Sequence, residues 1–203
     1  MPRMKAIILN CTLKKSPEES NTQMLADEAI SNLEERGVEC ETVRLVDLNI
    51  APGVSSDEGD GDEWPEVRQK ILDSDILVFA TPTWLGHPSS VAQRALERMD
   101  AMLSEQNEAG QMIAYGRVAG FVVTGNEDGA HHIISQLAQG VIDCGFCVPP
   151  VAWTYWNMGP GPGPTYPETD HGKEWTKTMA STCAHNLFHV ARALRETPIP
   201  PGD

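Results

Sequence analysis

The segment Asn10-Cys11-Thr12-Leu13-Lys14-Lys15-Ser16-Pro17-Glu18-Glu19-Ser20-Asn21-Thr22 limits the folds open to this chain more than any other. It joins a short apolar run, Ala6–Leu9, to an amphipathic helical pattern that begins near Ser20. A strand, a polar loop and a helix in that order open an α/β sheet, and phosphate binds between such a strand and helix. Ser20 and Gln23 have the spacing of a capping box, which sets the helix start. The first-turn N–H groups then face the loop, where the helix dipole favours an anion. The hydroxyls of Thr12, Ser20 and Thr22, the Asn21 amide and the Lys14 ammonium can add donors. The same residues also describe an ordinary capped βα connection, so the segment alone leaves both readings open.

Beyond it, strand and helix patterns alternate. A helix over about Ser20–Arg36 buries Leu25, Ala29, Ile30 and Leu33 and stops at Gly37. A charged strand at about Val38–Leu45 reads as an edge, and Pro65 opens a short helix carrying Val67, Ile71 and Leu72. Asp75–Ala80 reads as a central strand buried on both faces. Thr81–His87 follows as a loop, and Pro88 begins a helix that buries Val91, Ala95, Leu96, Met99 and Leu103. Arg117–Thr124 is the fourth strand and Thr124–Gly129 a loop, followed by a helix with Ile133, Ile134, Leu137, Val141 and Ile142 inward. Phe146–Ala152 is the fifth strand, and Pro149-Pro150 puts it at the other edge. The Gly/Pro-rich stretch 157–167 is an irregular excursion, a last helix covers about Asp170–Arg195, and 196–203 is a flexible tail. The order implies one α/β domain over 1–203: a parallel sheet with helices on both faces, in three layers. Loops after the first, third and fourth strands then gather at the carboxyl edge, where ligands bind. Those are this chain's three polar, Gly/Pro-containing loops.

Charge and cysteines exclude several classes. Fifteen Lys+Arg against 29 Asp+Glu give −14, a surface that repels a nucleic-acid backbone and can steer cationic partners. No apolar run approaches membrane length. The patch behind Arg3 and Lys5 is too short for a secretory signal, so the expected location is the cytoplasm. Asp57–Glu63 reads as a solvated acidic loop. Its Asp-rich alternation invites calcium, but the twelfth position from Asp57 lacks the glutamate of an EF-hand, and no metal is expected. Five scattered cysteines fit a reducing compartment. Cys144 and Cys147 have C-x-x-C spacing, yet Cys144 ends a helix, where the dipole disfavours thiolate. Two packed thiols are expected there.

With the three loops placed, the chain resembles the flavodoxin-like NAD(P)H-dependent FMN reductase and quinone reductase family, over roughly Met4–Val151 and the terminal helix. Thr12, Lys14, Ser20, Asn21 and Thr22 match its phosphate-binding positions, although Asn10-Cys11-Thr12-Leu13 stands where many members have Gly-Ser-Pro-Arg. Thr81-Pro82-Thr83-Trp84-Leu85-Gly86 is similar to its Ser/Thr-Pro-x-aromatic-x-Gly loop. The resemblance implies contact of Pro82, Thr83, Trp84, Leu85 and Gly86 with the isoalloxazine. Thr124-Gly125-Asn126-Glu127-Asp128-Gly129 matches the stretch at the ring's polar edge, which implies roles for Thr124, Gly125, Asn126 and Gly129.

The resemblance implies a flavodoxin-like doubly wound sheet of five parallel strands in order 2-1-3-4-5, with FMN bound non-covalently. NADH or NADPH is the implied co-substrate, a small acceptor such as a quinone takes the electrons, and the assembly is a homodimer or homotetramer. Chemistry agrees with those roles: Trp84 suits a flat ring, Gly125 and Gly129 permit close backbone approach, and N–H groups there stabilise charge on a reduced flavin. The flavin carries the reaction, so no side chain is assigned as catalytic. An electron-carrying flavodoxin-type protein, or a flavodoxin-like binding protein without flavin, is the alternative.

Three further groups lie outside the loops. His185 and His189 stand one turn apart, but Asn186 occupies the position where a zinc-protease helix needs glutamate. His131 and His132 open the helix beside the third loop. Trp153, Tyr155 and Trp156, read as following the fifth strand, are expected to close over a site or to pack in a subunit interface.

Overall fold

The computed structural model describes residues 2–161 and 163–202. Its elements run β1 (Lys5–Asn10), α1 (Asn21–Glu34), β2 (Glu39–Arg44), α2 (Trp64–Leu72), β3 (Ile76–Trp84), β4 (His87–Pro88), α3 (Ser90–Arg98), β5 (Val118–Gly125), α4 (Ala130–Asp143), β6 (Trp153–Asn157) and α5 (Lys173–Glu196). The main sheet has the order β2-β1-β3-β5-β6, and every one of these pairs is parallel. Leaving aside the two-residue β4, which pairs antiparallel with β3, this is the expected 2-1-3-4-5 order.

Alternation along the strands makes two cores. Ile7, Leu9, Leu77, Phe79, Phe121 and Val123 face α2, α3 and α4, whereas Ile8, Val78, Ala80 and Val122 face α1 and α5. Runs such as Ile76–Ala80 are apolar throughout because both faces are covered.

Several local expectations need correction. β3 does not stop at Ala80. It continues through Thr81–Trp84 and turns back at Leu85-Gly86, both at positive φ (50° and 75°), as a two-residue hairpin connection requires. Pro88 therefore lies in β4, and Ser89 caps α3, its side chain accepting from the Ala92 N–H. The buried face of α3 and the following 3-10 turn carries Ala92, Ala95, Arg98, Met99 and Met102, while Leu103 is exposed. Arg98, 0% exposed, takes an inward position on α3 where leucine and valine were expected. Ile142 is likewise exposed. The last strand lies at Trp153–Asn157, not Phe146–Ala152. Cys147 makes one parallel bridge to Val118, Pro149-Pro150 cannot extend the ladder, and the β-forming Trp-Thr-Tyr-Trp run takes the place beside β5. Gln111 donates from its amide to the carbonyls of Ile199 and Pro200, which ties the Pro-rich tail to the body.

The acidic loop is not wholly solvated. Asp62 and Arg98 form a buried pair at 2.7 Å. The guanidinium also donates to the carbonyls of Ala51 (2.9 Å) and Ser55 (3.0 Å) and lies 5.7 Å from the Trp64 ring centroid. The Arg98 hydrogen bonds hold the Asp62 carboxyl well below the usual carboxylate range. Among the described residues, no group of three or more His, Cys, Asp or Glu side chains is placed to hold a metal ion. No described helix is long and apolar enough to cross a membrane.

Candidate flavin-binding cleft

At the carboxyl edge of the sheet a cleft of about 240 Å³ opens between the β1–α1 loop, the β3–β4 hairpin, the end of β5 and the excursion after β6. Ten of the fourteen residues expected at the site line it: Thr12, Lys14, Asn21, Thr22, Pro82, Thr83, Trp84, Thr124, Gly125 and Asn126. Ser20, Leu85, Gly86 and Gly129 lie just outside and shape it.

Chain-local contacts build one end. The Ser20 hydroxyl accepts from the Gln23 N–H at 3.1 Å and starts α1. The box is not reciprocal: Gln23 Oε1 accepts instead from the Asn10 amide at 2.9 Å, and Asn10 Oδ1 accepts from the Thr12 N–H at 3.1 Å. The last residue of β1 is thereby tied to the first turn of α1. By helix geometry the N–H groups of Asn21 and Thr22 have no intrahelical acceptor, and both residues face the cleft. Lys14 is exposed and makes no ion pair with a described residue.

Two residues that sequence reasoning missed brace this loop. Arg44, at the end of β2, donates to the Glu18 carbonyl at 2.8 Å. Asp47 accepts from the Ser16 N–H (2.9 Å) and hydroxyl (2.6 Å), and those bonds hold its carboxyl below the usual range. A basic residue ending the strand beside β1 was the available signal.

Distant segments meet at the other end. Leu85 sits at the hairpin tip, 88% exposed, and its N–H donates to Glu127 Oε1 at 2.6 Å. A Cβ on Gly129 would lie 2.7 Å from the Gly86 Cα, and Gly129 has φ +121°, so hairpin and third loop touch backbone to backbone. A Cβ on Gly125 would lie 2.8 Å from Thr83 Oγ1. That oxygen is buried and lacks a partner in the described structure, a costly condition unless a ligand relieves it. The Thr22 and Thr124 hydroxyls, 3.1 Å apart, link α1 to β5. The Asn126 amide donates to the Gly163 carbonyl (3.1 Å), and the Asn126 carbonyl accepts from the Gly163 N–H (3.1 Å). Asn126 thus anchors the excursion while lining the cleft. Trp84 stands at the rim, 54% exposed.

Trp156 also lines the cleft, as do Leu13, Thr165 and Tyr166, which were not foreseen there. Trp156 was expected over a site or in a subunit interface. It lines the cleft from within its own chain, only 2% exposed, its ring 5.5 Å from Tyr166 and its indole N–H donating to the His171 carbonyl at 2.7 Å. Misplacing β6 hid its burial, because strand alternation turns Thr154 and Trp156 inward together. Cys144 caps the C-terminal end of α4, with burial pushing its thiol up to about 11. Burial raises the Cys147 thiol as well.

A free helix N-terminus with an unpaired lysine suits a phosphate. The apolar rim, the close backbone at Gly125 and an unsatisfied hydroxyl suit a flat ring with polar edges. The residues present therefore fit FMN. Solved flavodoxins share the fold, one from the domain Archaea aligning over 92% of this chain and 100% of its own at TM-score 0.56 and 12% identity. The family model described as NADPH-dependent FMN reductase matches residues 4–160, and the chain belongs to that family of flavin-dependent oxidoreductases. The expectation of FMN with NAD(P)H holds at that level.

The 8-demethyl-8-aminoriboflavin-5'-phosphate synthase of Streptomyces davaonensis is 39% identical over 206 residues, 96% of this chain and 80% of that protein. A crystal structure of RosB with the bound intermediate 8-demethyl-8-formylriboflavin-5'-phosphate aligns at TM-score 0.89 and 38% identity, over 97% of this chain and 82% of the other. A divalent metal cation transporter, MntH, of Mycobacterium bovis is 39% identical over 199 residues. This chain spans 95% of itself in that match but only 29% of the transporter's length.

Proposed function

We propose that the chain binds FMN in this cleft and passes electrons from NADH or NADPH through the flavin to a small acceptor such as a quinone. The carrying observation is the meeting, in one cleft, of the uncommitted first-turn N–H groups of α1 with the Thr83–Gly125 contact. Asn21 and Thr22 N–H, the Ser20 and Thr22 hydroxyls and Lys14 hold the phosphate. Trp84 and Pro82 cover the ring, and Thr83, Thr124 and Gly125 meet its polar edge. FMN, when bound, supplies two-electron acceptance from a hydride donor. The chain's part is to orient the ring, keep water from the face that Trp84 and Pro82 cover and leave the opposite face open to donor and acceptor. The test is oxidation of NADPH or NADH at 340 nm by purified, FMN-loaded protein with a soluble quinone. No acceptor-dependent oxidation with either nucleotide would refute the assignment.

A second reading has specific support. The Streptomyces davaonensis relative is a synthase whose product is itself a flavin phosphate, and RosB carries a flavin phosphate intermediate. On this reading the cleft takes riboflavin-5'-phosphate as substrate and exposes its 8-position for change. Mass spectrometry of the flavin after turnover separates the two: a reductase returns FMN of unchanged mass, a modifying enzyme does not.

A further inference from the structure

A second aromatic feature lies outside the cleft. Tyr155, on β6, stands between two recesses. One, of about 280 Å³, is walled by Tyr155, Trp156, His171 and Trp175. The other, of about 220 Å³, is walled by Tyr155, His131, His132 and Asp128. Asn157 borders both. The rings form a connected series: Tyr155 and Trp175 have centroids 5.1 Å apart at 62°, and His131 and Tyr155 are 5.0 Å apart at 78°. Trp153 adds a ring 5.6 Å from His131.

If this array only packed α5 onto the sheet, Trp175 would be buried. It is 45% exposed, at the mouth of the larger recess. Trp156 forms a fixed wall, since its indole N–H is held by the His171 carbonyl, and it also lines the flavin cleft.

We propose that the two recesses flanking Tyr155 form a second binding site, for a flat heteroaromatic ring that carries no negative charge. The larger recess is walled by rings from both β6 and α5, Tyr155 and Trp175 among them, a lining that suits a flat ring. Tyr and Trp walls favour stacked or edge-on rings and attract cations through their quadrupoles. Asp128 lies in the wall, and the chain carries −14 overall, a field that disfavours anions. The nearby cation Lys173 is engaged 3.6 Å from Asp170 and 5.3 Å from the Tyr166 ring centroid. The larger recess shares the Trp156 wall with the cleft, and the two recesses are otherwise lined by other residues. A second substrate of the same enzyme can thus be held there while the flavin stays in place. The assignment does not depend on what occupies the first cleft.

The test is calorimetric titration with N-methylquinolinium, a flat cation, and 2-naphthoate, a flat anion of similar size, in the absence and presence of saturating FMN. N-methylquinolinium should bind equally in both conditions, and 2-naphthoate at least about tenfold more weakly. Trp175→Ala should weaken the cation roughly three- to tenfold, the loss expected for one aromatic contact, with FMN affinity unchanged. Absent cation binding, competition by FMN, equal binding of the anion, or full affinity in Trp175→Ala would each overturn the site. Failure of the protein to bind FMN would sink the first cleft's assignment alone.

Discussion

The two ends of the cleft are built differently. The end at Thr12–Thr22 is shaped chiefly by contacts among near neighbours, Ser20 with Gln23, Asn10 with Gln23 and Thr12 with Asn10, with Arg44 and Asp47 bracing it from β2 and the turn that follows. The end at Trp84 is made where residues 83–86 and 125–129 meet each other and Gly161 and Gly163, through glycines and a few hydrogen bonds. Most of the first end's bonds are local, whereas the second end is made by segments distant in sequence. A change at the first should alter affinity for the phosphate and leave the fold intact. A change at the second should alter stability and the ring site together.

The largest effect should come from Gly129→Ala. It places a Cβ against the Gly86 backbone at a φ that L-residues avoid, and should cost about 2–3 kcal/mol in urea unfolding. An unchanged midpoint would mean that the hairpin and the third loop yield more freely than their contact implies. The Ser20→Ala/Thr22→Ala pair should weaken FMN by about 1–3 kcal/mol. Riboflavin, which lacks the phosphate, should be affected far less. Equal loss for both flavins would place the phosphate elsewhere.

Asn126→Ala should release the excursion at Gly163 for about 1 kcal/mol of stability, seen as faster amide exchange at Gly163 with the first loop unchanged. Acid acts at the opposite end. The Asp47 carboxyl is depressed in the folded state, so its bracing of Ser16 is present above the ordinary aspartate range of about 3.9. It is lost as pH falls through the folded value. The Ser16 amide shift should follow that titration, and Asp47→Asn should abolish it. The smallest effect is expected from Cys144→Ser/Cys147→Ser, because both thiols are raised by burial and sit at the wrong end of α4 for a thiolate. Flavin reduction by NADPH should proceed at near wild-type rate, and a severe loss in the folded, FMN-loaded variant would contradict this.

The same contrast explains what the sequence showed. The first four strands, the β1–α1 turn and the Ser20 cap were legible because apolar runs and caps are local signals, whereas the order of the strands in the sheet came with the family resemblance. Ten of fourteen candidate residues were brought to one cleft since the carboxyl edge of a parallel sheet gathers alternate loops whatever their details. What was missed depended on tertiary pairing. β3 extends into a hairpin because Thr83 and Trp84 find Pro88 and His87. Trp156 is internal because the ladder skips the Pro149-Pro150 detour and resumes at Trp153. Arg98 is buried because Asp62, 36 residues away, completes its hydrogen bonds, and composition alone assigns both charges to the surface.

That last pair has a practical consequence. One guanidinium holds the chain on both sides of the exposed tip 57–61: the Ala51 and Ser55 carbonyls before it and the Asp62 carboxylate after it. A protease that nicks the tip would leave two fragments gripped by the same arginine. A tag inserted there would be carried on a stalk whose base is already clamped, at residues that do not line the cleft.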